Sequence, residues 1–244
     1  MKDKRILVIG DSCKDIFVYC AVTRFCPEAP VPVLNVREST ESGGMSLNVQ
    51  KNFHRMGMLC DILTNANWEK MTKARYVHRE SNHMFIRIDT EDVADHIDMS
   101  KVSYDYDAIV ISDYNKGFLT PEDIQAICQN HPNVFIDTKK ILGPWAESAR
   151  YIKINHTEFT NSFPHMTPKL LAKTIHTMGA NGAELNGVKY PVEPVEVKDA
   201  SGAGDTFMAA LVTRFVERGD IVEAIHFANS CARRVVQHRG VVTV

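Results

Sequence analysis

The chain has 244 residues, of which 44% are apolar and 24% charged, and 28 basic against 30 acidic residues leave a formal charge of −2. Such a length suits one α/β domain, or a main domain with a small appendage, and a balanced charge without long single-sign blocks excludes the footprint of a nucleic-acid or anionic-membrane binder. No apolar run approaches transmembrane length, and Met1 to Arg5 leads into a strand-length segment rather than a secretory signal, so a cytoplasmic protein is expected.

In chain order, Arg5 to Ile9 (RILVI) predicts a buried parallel strand that delivers Gly10 and Asp11 to its carboxyl end. Ligands of open α/β sheets collect at such ends, and Asp15 follows four residues on. Taken alone, Asp11 also reads as a turn cap and Asp15 as a solvated side chain. Ile16 to Tyr19, Val31 to Val36, Arg75 to Arg79 and Met84 to Asp89 are strand-like, the last two joined across Glu80 to His83. These strands interrupt the βα alternation. They predict a small β-lid drawn from about residues 16–38 and 75–89, within a single domain spanning residues 1–244. An apolar face on such a sheet needs cover, and a second copy is the usual solution, so a homodimer through the lid is expected.

Gly43 and Gly44 precede a helical pattern in which Met45, Val49, Phe53 and Met56 share a face, with Asn48 near its start and Gly57 at its stop. Asp107 to Ile111 and Asn133 to Ile136 predict buried strands joined by a helix with Thr120 as N-cap, Pro121 first and Asp123 in the first turn. This βαβ unit implies a parallel sheet. Its strands end in Ser112-Asp113-Tyr114-Asn115-Lys116-Gly117 and Asp137-Thr138-Lys139, at the edge that holds Asp11. Tyr151 to Ile154 ends in Asn155-His156-Thr157-Glu158, which by itself is also an ordinary helix start. Gly182-x-x-x-x-Gly187 is no P-loop, since Val188 stands where Lys is required. Phosphate must be held elsewhere.

The stretch from Val197 to Val212, VKDASGAGDTFMAALV, names a chemistry. After the alternating Val192, Val195 and Val197, small residues supply a sharp turn, and Phe207, Met208, Leu211, Val212 and Phe215 then recur at helical spacing. Where a strand-like segment turns into a helix, unpaired amides and the positive dipole end face outward. Gly202 and Gly204 leave the amides open to an anion, and Asp205 sets a carboxylate beside them in the first helical turn. Helix-start Asp and turn glycine are the plain alternatives. Six cysteines without Cys-x-x-Cys, and ten histidines without zinc spacing, are expected to be reduced thiols and unmetallated side chains.

Asp199-x-x-Gly202-Ala203-Gly204-Asp205-Thr206, followed by a small and apolar helix, resembles the signature of the ribokinase-like (PfkB-type) carbohydrate kinases. The resemblance runs from Gly10 to the C-terminus and implies a three-layer α/β/α sandwich with a mostly parallel sheet and a β-lid. It implies ATP-dependent phosphoryl transfer to a sugar hydroxyl with Mg²⁺, leaving a monovalent-cation requirement open. Asp205 would then be the base, and Gly202, Ala203 and Gly204 the anion hole. Asp11, Asp15, Gly43, Gly44 and Asn48 would hold the sugar, with Lys116 or Arg87 for a substrate phosphate. Asn155 and Glu158 would organise Mg²⁺, and Thr177, Gly179, Gly182 and Asn229 would lie by the nucleotide.

Within that family, Pro27-Glu28-Ala29-Pro30-Val31-Pro32-Val33, Ser112-Asp113-Tyr114-x-Lys116-Gly117 and the ending Gly240-Val241-Val242-Thr243-Val244 resemble the kinase half of bacterial heptose-7-phosphate kinase/adenylyltransferase proteins. The His-x-Gly-His motif of the other half is missing, so the resemblance carries over only a kinase reaction. The segments from Gly57 to Lys73 and from Glu158 to Thr174 look shorter than in relatives, which touches substrate identity more than chemistry. A non-catalytic sugar- or nucleotide-binding relative, or a kinase for another sugar or a nucleoside, is the alternative. A dinucleotide oxidoreductase lacks its Gly-x-Gly-x-x-Gly after the first strand.

Overall fold

The computed structural model describes residues 4–238 and Thr243. Strand β1 (Arg5–Gly10) is followed by the long strands β2 (Ser12–Phe25) and β3 (Pro32–Met45), helix α1 (Ser46–Arg55), β4 (Leu59–Thr64), the pair β5 (Thr72–His78) and β6 (Met84–Thr90), and β7 (Ala108–Asp113). Then come α2 (Pro121–Asn130), β8 (Val134–Thr138), β9 (Tyr151–Asn155), the short helices α3 (His156–Ser162) and α4 (Pro168–Leu171), and β10 (Thr174–Thr177). The chain closes through β11 (Ala183–Leu185), β12 (Val188–Tyr190), α5 (Ala203–Arg218) and α6 (Ile221–Val235). The ending from Gly240, singled out above, lies outside the described residues except for Thr243. Among the described residues no helix is long and apolar enough to cross a membrane.

The continuous apolar run of β1 has a simple cause: both of its faces are covered. Ile6 and Val8 pack with Val49 and Phe53 of α1 and with Phe207, Leu211, Ile225 and Ala228 of α5 and α6. Leu7 and Ile9 pack on the opposite face with Ile109, Ile111, Ile124 and Ile127. Each fully buried side chain of this size contributes about 1.5–3 kcal/mol. The main sheet is therefore the middle of three layers, in the order β12-β11-β10-β9-β8-β7-β1-β4. Its strands from β4 to β10 run parallel, and β11 and β12 are added antiparallel at one edge. Thr120 and Asp123 cap α2 reciprocally, with Pro121 first, as their spacing predicts.

A second sheet, in the order β3-β2-β5-β6, forms the small lid. Its strands are longer than hydrophobic alternation indicates, and Gly43 and Gly44 end β3 rather than forming a turn before the helix. The cause is that β3 gains its pairing with β2 while Arg37 to Glu41 stay exposed, so hydrogen bonding extends it where no burial pattern does. A second departure lies before α5. The run from Val192 to Val197 was expected to be strand-like, but among the described residues it pairs with no strand. Pro191 and Pro194 each lack the N–H that a ladder needs.

One close approach positions the site. A Cβ on Gly10 would lie 1.9 Å from the Ser112 carbonyl oxygen and 2.5 Å from Ser46 Oγ. Glycine thus lets the start of α1 press against the ends of β1 and β7, where Ser46 donates its N–H to the Asp11 carbonyl (3.0 Å) and its hydroxyl to the Ser112 carbonyl (3.0 Å). Further along, α1 meets α5 through polar side chains: Thr206 Oγ1 donates to Asn52 Oδ1 at 2.9 Å. All six cysteines are free. Burial pushes the thiols of Cys13, Cys60 and Cys128 up to about 12, so these three stay protonated.

Candidate active site

The carboxyl ends of β7, β8 and β9, the start of α5 and the start of α1 converge on Asp205, which is 6% exposed. Asn48 Nδ2 donates to Asp205 Oδ2 at 2.7 Å, and Tyr114 Oη donates to Asp205 Oδ1 at 2.8 Å. Burial raises the Asp205 pKa above the ordinary carboxylate value, with Asp137 adding to the rise, while the two donors and Lys153 pull it down. Asn48, expected on the sugar, is here a partner of Asp205.

The turn before α5 depends on Gly202, which holds a left-handed conformation (φ 77°) at the N-cap position. The Ala203 N–H donates to the Ala200 carbonyl at 3.2 Å, and the Thr206 N–H to the Gly202 carbonyl at 2.9 Å. Among the described residues no acceptor meets the amides of Gly202, Gly204 or Asp205. Of the three amides expected to face an anion, that of Ala203 is spent inside the turn, while those of Gly202 and Gly204 lie at the start of the helix together with that of Asp205.

Beside these amides opens a cleft of about 750 Å³. Thr177, Gly179, Gly182 and Asn229 line it, as does Asn155. The Thr177 hydroxyl donates to the Ile154 carbonyl (3.2 Å) and the Asn229 amide to the Tyr190 carbonyl (2.9 Å), so these two side chains shape the wall while bonded to the protein. On the cleft floor Lys153 Nζ pairs with Asp137 Oδ2 at 2.7 Å, both side chains largely buried. Lys153 also lies under the glycine turn: a Cβ on Gly204 would come within 2.9 Å of its Nζ. Burial works against the Lys139 charge, but Asp137, Glu158 and Asp205 outweigh it and raise its pKa.

Asn155 and Glu158 form a reciprocal cap on α3. The Glu158 N–H donates to Asn155 Oδ1 (3.0 Å), and the Asn155 N–H and Nδ2 donate to the Glu158 carboxylate (2.7 and 2.8 Å), which also pairs with Lys139. Among the described residues no group of three or more His, Cys, Asp or Glu side chains could cage a metal. This donor set fits a hard cation held through water and phosphate oxygens, not one enclosed by protein ligands.

On the lid side, Asp15 Oδ1 accepts from Arg75 Nη1 at 2.6 Å, and a Cβ on Gly44 would lie 2.2 Å from Asp15 Oδ2. A Cβ on Gly43 would meet the Leu47 side chain at 2.7 Å. Arg87 forks onto Asp89 (2.7 and 2.6 Å) and Lys116 pairs with Asp92, so both cations expected for a substrate phosphate already hold carboxylates. Asp11, expected on the sugar, is fully buried, and its carboxylate accepts the N–H groups of Tyr114 (2.6 Å) and Phe118 (3.3 Å), so it fastens the loop after β7.

Four residues of the site were not assigned from sequence: Tyr114, Asp137, Lys153 and Arg75. Lys153 left a signal, a lone cation inside the apolar run Tyr151-Ile152-Lys153-Ile154. A charge buried in a central strand needs a partner. Asp137 and Tyr114 stood at the right sheet edge but carried no spacing to mark their roles.

Comparisons with known proteins agree with this fold. The bifunctional protein HldE of Helicobacter pylori (strain ATCC 700392 / 26695) is 28% identical over 298 residues, covering 97% of this chain and 64% of that protein. The chain therefore spans less than two thirds of that relative's length. Two solved structures share the fold: a Methanocaldococcus jannaschii nucleoside kinase of the ribokinase family (TM-score 0.70, 15% identity, 98% of this chain and 93% of that one) and an Arabidopsis thaliana ribokinase complexed with ribose and ATP (TM-score 0.67, 16% identity, 98% and 94%). The pfkB family carbohydrate kinase model matches residues 59–244, well over half of the chain and including the glycine turn with Asp205. By that match, this chain belongs to the pfkB family of carbohydrate kinases.

Proposed function

We propose that this chain transfers the terminal phosphoryl group of ATP to a hydroxyl of a sugar or sugar phosphate, with heptose 7-phosphate as the leading substrate. One observation carries the reading: a buried carboxylate, Asp205, lies on the wall of a cleft beside the amides of Gly202 and Gly204, which meet no acceptor among the described residues. Asp205 takes the hydroxyl proton as the sugar oxygen bonds to phosphorus and the bond to the ADP oxygen breaks. The free amides and the dipole of α5 stabilise the charge on the transferring group. Lys139 and Lys153 add positive charge on the same side. Mg²⁺, when bound, supplies further charge against the phosphates, and Glu158 with Asn155 would hold it through water. Asp15, positioned by Arg75 and given room by Gly44, faces the sugar from the lid. The HldE relative and the Pro27 to Val33 and Ser112 to Gly117 stretches support the heptose assignment.

The test is ADP release from MgATP across a panel of sugars and sugar phosphates that includes heptose 7-phosphate. Turnover with heptose 7-phosphate far above the rest is expected. Preference for another sugar would replace the substrate and keep the chemistry, and no turnover with any, alongside retained ATP binding, would make this a binding protein.

The lid also supports a homodimer. Register places Ile88 opposite Ala74 and Ala74 opposite Ile16, with Ile86 opposite Tyr76, so one face of the sheet carries an apolar row across β6, β5 and β2. Ile86 and Ile88 are 51% and 45% exposed. Covering that row with a second copy removes it from water. Light scattering after size exclusion is expected to give a dimer for the wild type and a monomer for Ile86→Lys/Ile88→Lys. A monomeric wild type at micromolar concentration would remove the dimer.

A further inference from the structure

The loop after β7 contributes one side chain to the site that neither the glycine turn nor the sugar pocket explains. Tyr114 is anchored at its backbone, where its N–H donates to the fully buried Asp11 carboxylate at 2.6 Å. The same carboxylate accepts the Phe118 N–H, so residues 114 to 118 close on one anchor, with Asn115 (φ 57°) and Gly117 (φ 104°) making the turns between. The Tyr114 phenol then reaches Asp205 Oδ1, while Asn48, from a different element, takes Oδ2. Each oxygen of the carboxylate has one donor. Rotation of the carboxylate about its Cβ–Cγ bond would break both bonds at once.

We propose that Tyr114 is a positioning residue for Asp205: it fixes the carboxylate plane, stabilises its charged form, and keeps one lone-pair direction open for the incoming hydroxyl. This rests on the reading of Asp205 as the base. A phenol left free would be a rival acid or base, but burial, then the charges of Asp205 and Asp137, push the Tyr114 pKa well above its usual value. It therefore remains a donor through the neutral range. The other charges facing Asp205 are Asp137 from β8, Lys139 just beyond β8, and Lys153 from β9. Asp137 disfavours the charged carboxylate and Lys153 favours it. None of these reaches Asp205 through a hydrogen bond, so among the described residues Tyr114 and Asn48 combine charge stabilisation with orientation.

The test follows Asp205 directly. Carboxyl-¹³C aspartate labelling, with Asp205→Asn used to assign the resonance, gives the titration midpoint of Asp205 without any substrate. Removing one hydrogen bond to a charged group is expected to raise that midpoint in Tyr114→Phe by about one pH unit. Incorporating 3-fluorotyrosine at position 114 keeps the shape and makes the phenol a stronger donor, and the midpoint should fall. This second variant keeps the test meaningful if the Phe variant folds poorly. In the pH profile of kcat/KM, with the best sugar of the panel, the acid limb should move in the same direction as the midpoint for each variant. At a pH below the limb Tyr114→Phe should lose about tenfold more activity than it loses on the plateau. A midpoint that stays put in both variants overturns the proposal, as does a uniform loss across pH with an unmoved limb. Should Asp205→Asn retain turnover while the midpoint moves, the base reading falls and the Tyr114–Asp205 coupling stands.

Discussion

Asp205→Asn is expected to lower turnover by about 10² to 10⁴, the range for loss of a positioned general base, while raising the thermal midpoint at pH 8. The activity loss follows from the amide's inability to accept the hydroxyl proton. The stability gain follows from burial. Asp205 has its pKa raised above 3.8, so the native state binds this proton more tightly than the unfolded chain does. Its stabilising contribution is full below the unfolded value and is lost as pH rises through the folded value. At pH 8 the wild type carries the cost of a buried charge, and the amide removes it. The replacement also keeps both contacts: the carbonyl oxygen of the new amide accepts from Tyr114, and Asn48, whose side chain makes its one described contact with Asp205, turns its own amide to accept instead. Thermal unfolding at pH 8 and pH 4 checks the sign, because the advantage of the variant should shrink at the lower pH. Near-normal turnover would remove Asp205 from the role of base, and a lower midpoint at pH 8 would show that its charge is better compensated than its burial implies.

Lys153→Met should be the most destabilising change at the site. Lys153 and Asp137 are 5% and 9% exposed and pair at 2.7 Å. Methionine fills the volume but leaves the Asp137 carboxylate buried without its partner. Breaking one side of such a pair costs about 3–5 kcal/mol. For a chain of this size that corresponds to a drop of roughly 6–20 °C in Tm. The double variant Asp137→Asn/Lys153→Met removes the orphaned charge and should recover most of the loss, because neutral replacement of both partners avoids the desolvation cost. A single-variant loss below about 1 kcal/mol would mean that water reaches Asp137 and that the pair is not structurally important. Turnover is expected to fall in both variants, since each lacks the cation that lies beside the glycine turn and favours the charged form of Asp205.

The features of the fold and the site differ in how far the sequence revealed them. The glycine turn, Asp205 and the cap of Thr120 and Asp123 are local. Their conformations depend on residues within one helical turn, so spacing and residue type are sufficient. The parallel sheet was equally legible, because a strand covered on both faces must be apolar at every position, as Ile6 to Ile9 are. Strand ends in the lid were not, since β3 is paired but exposed from Arg37 to Glu41 and leaves no alternation to read.

Sequence alone determined the parallel sheet, written in periodicity, and the residue types of the phosphate end, written in a contiguous motif whose family resemblance implies the three layers. Only the tertiary structure decided the partners. Asn48 and Asp205 are 157 residues apart and Tyr114 and Asp205 are 91 apart, yet each pair meets within hydrogen-bonding distance. It set Asp11 on the loop amides, paired Arg87 and Lys116 with carboxylates, and joined Lys153 to Asp137. The physical reason is that a buried charge or polar group must find a partner wherever packing brings one within reach, and that choice is made in space rather than along the chain.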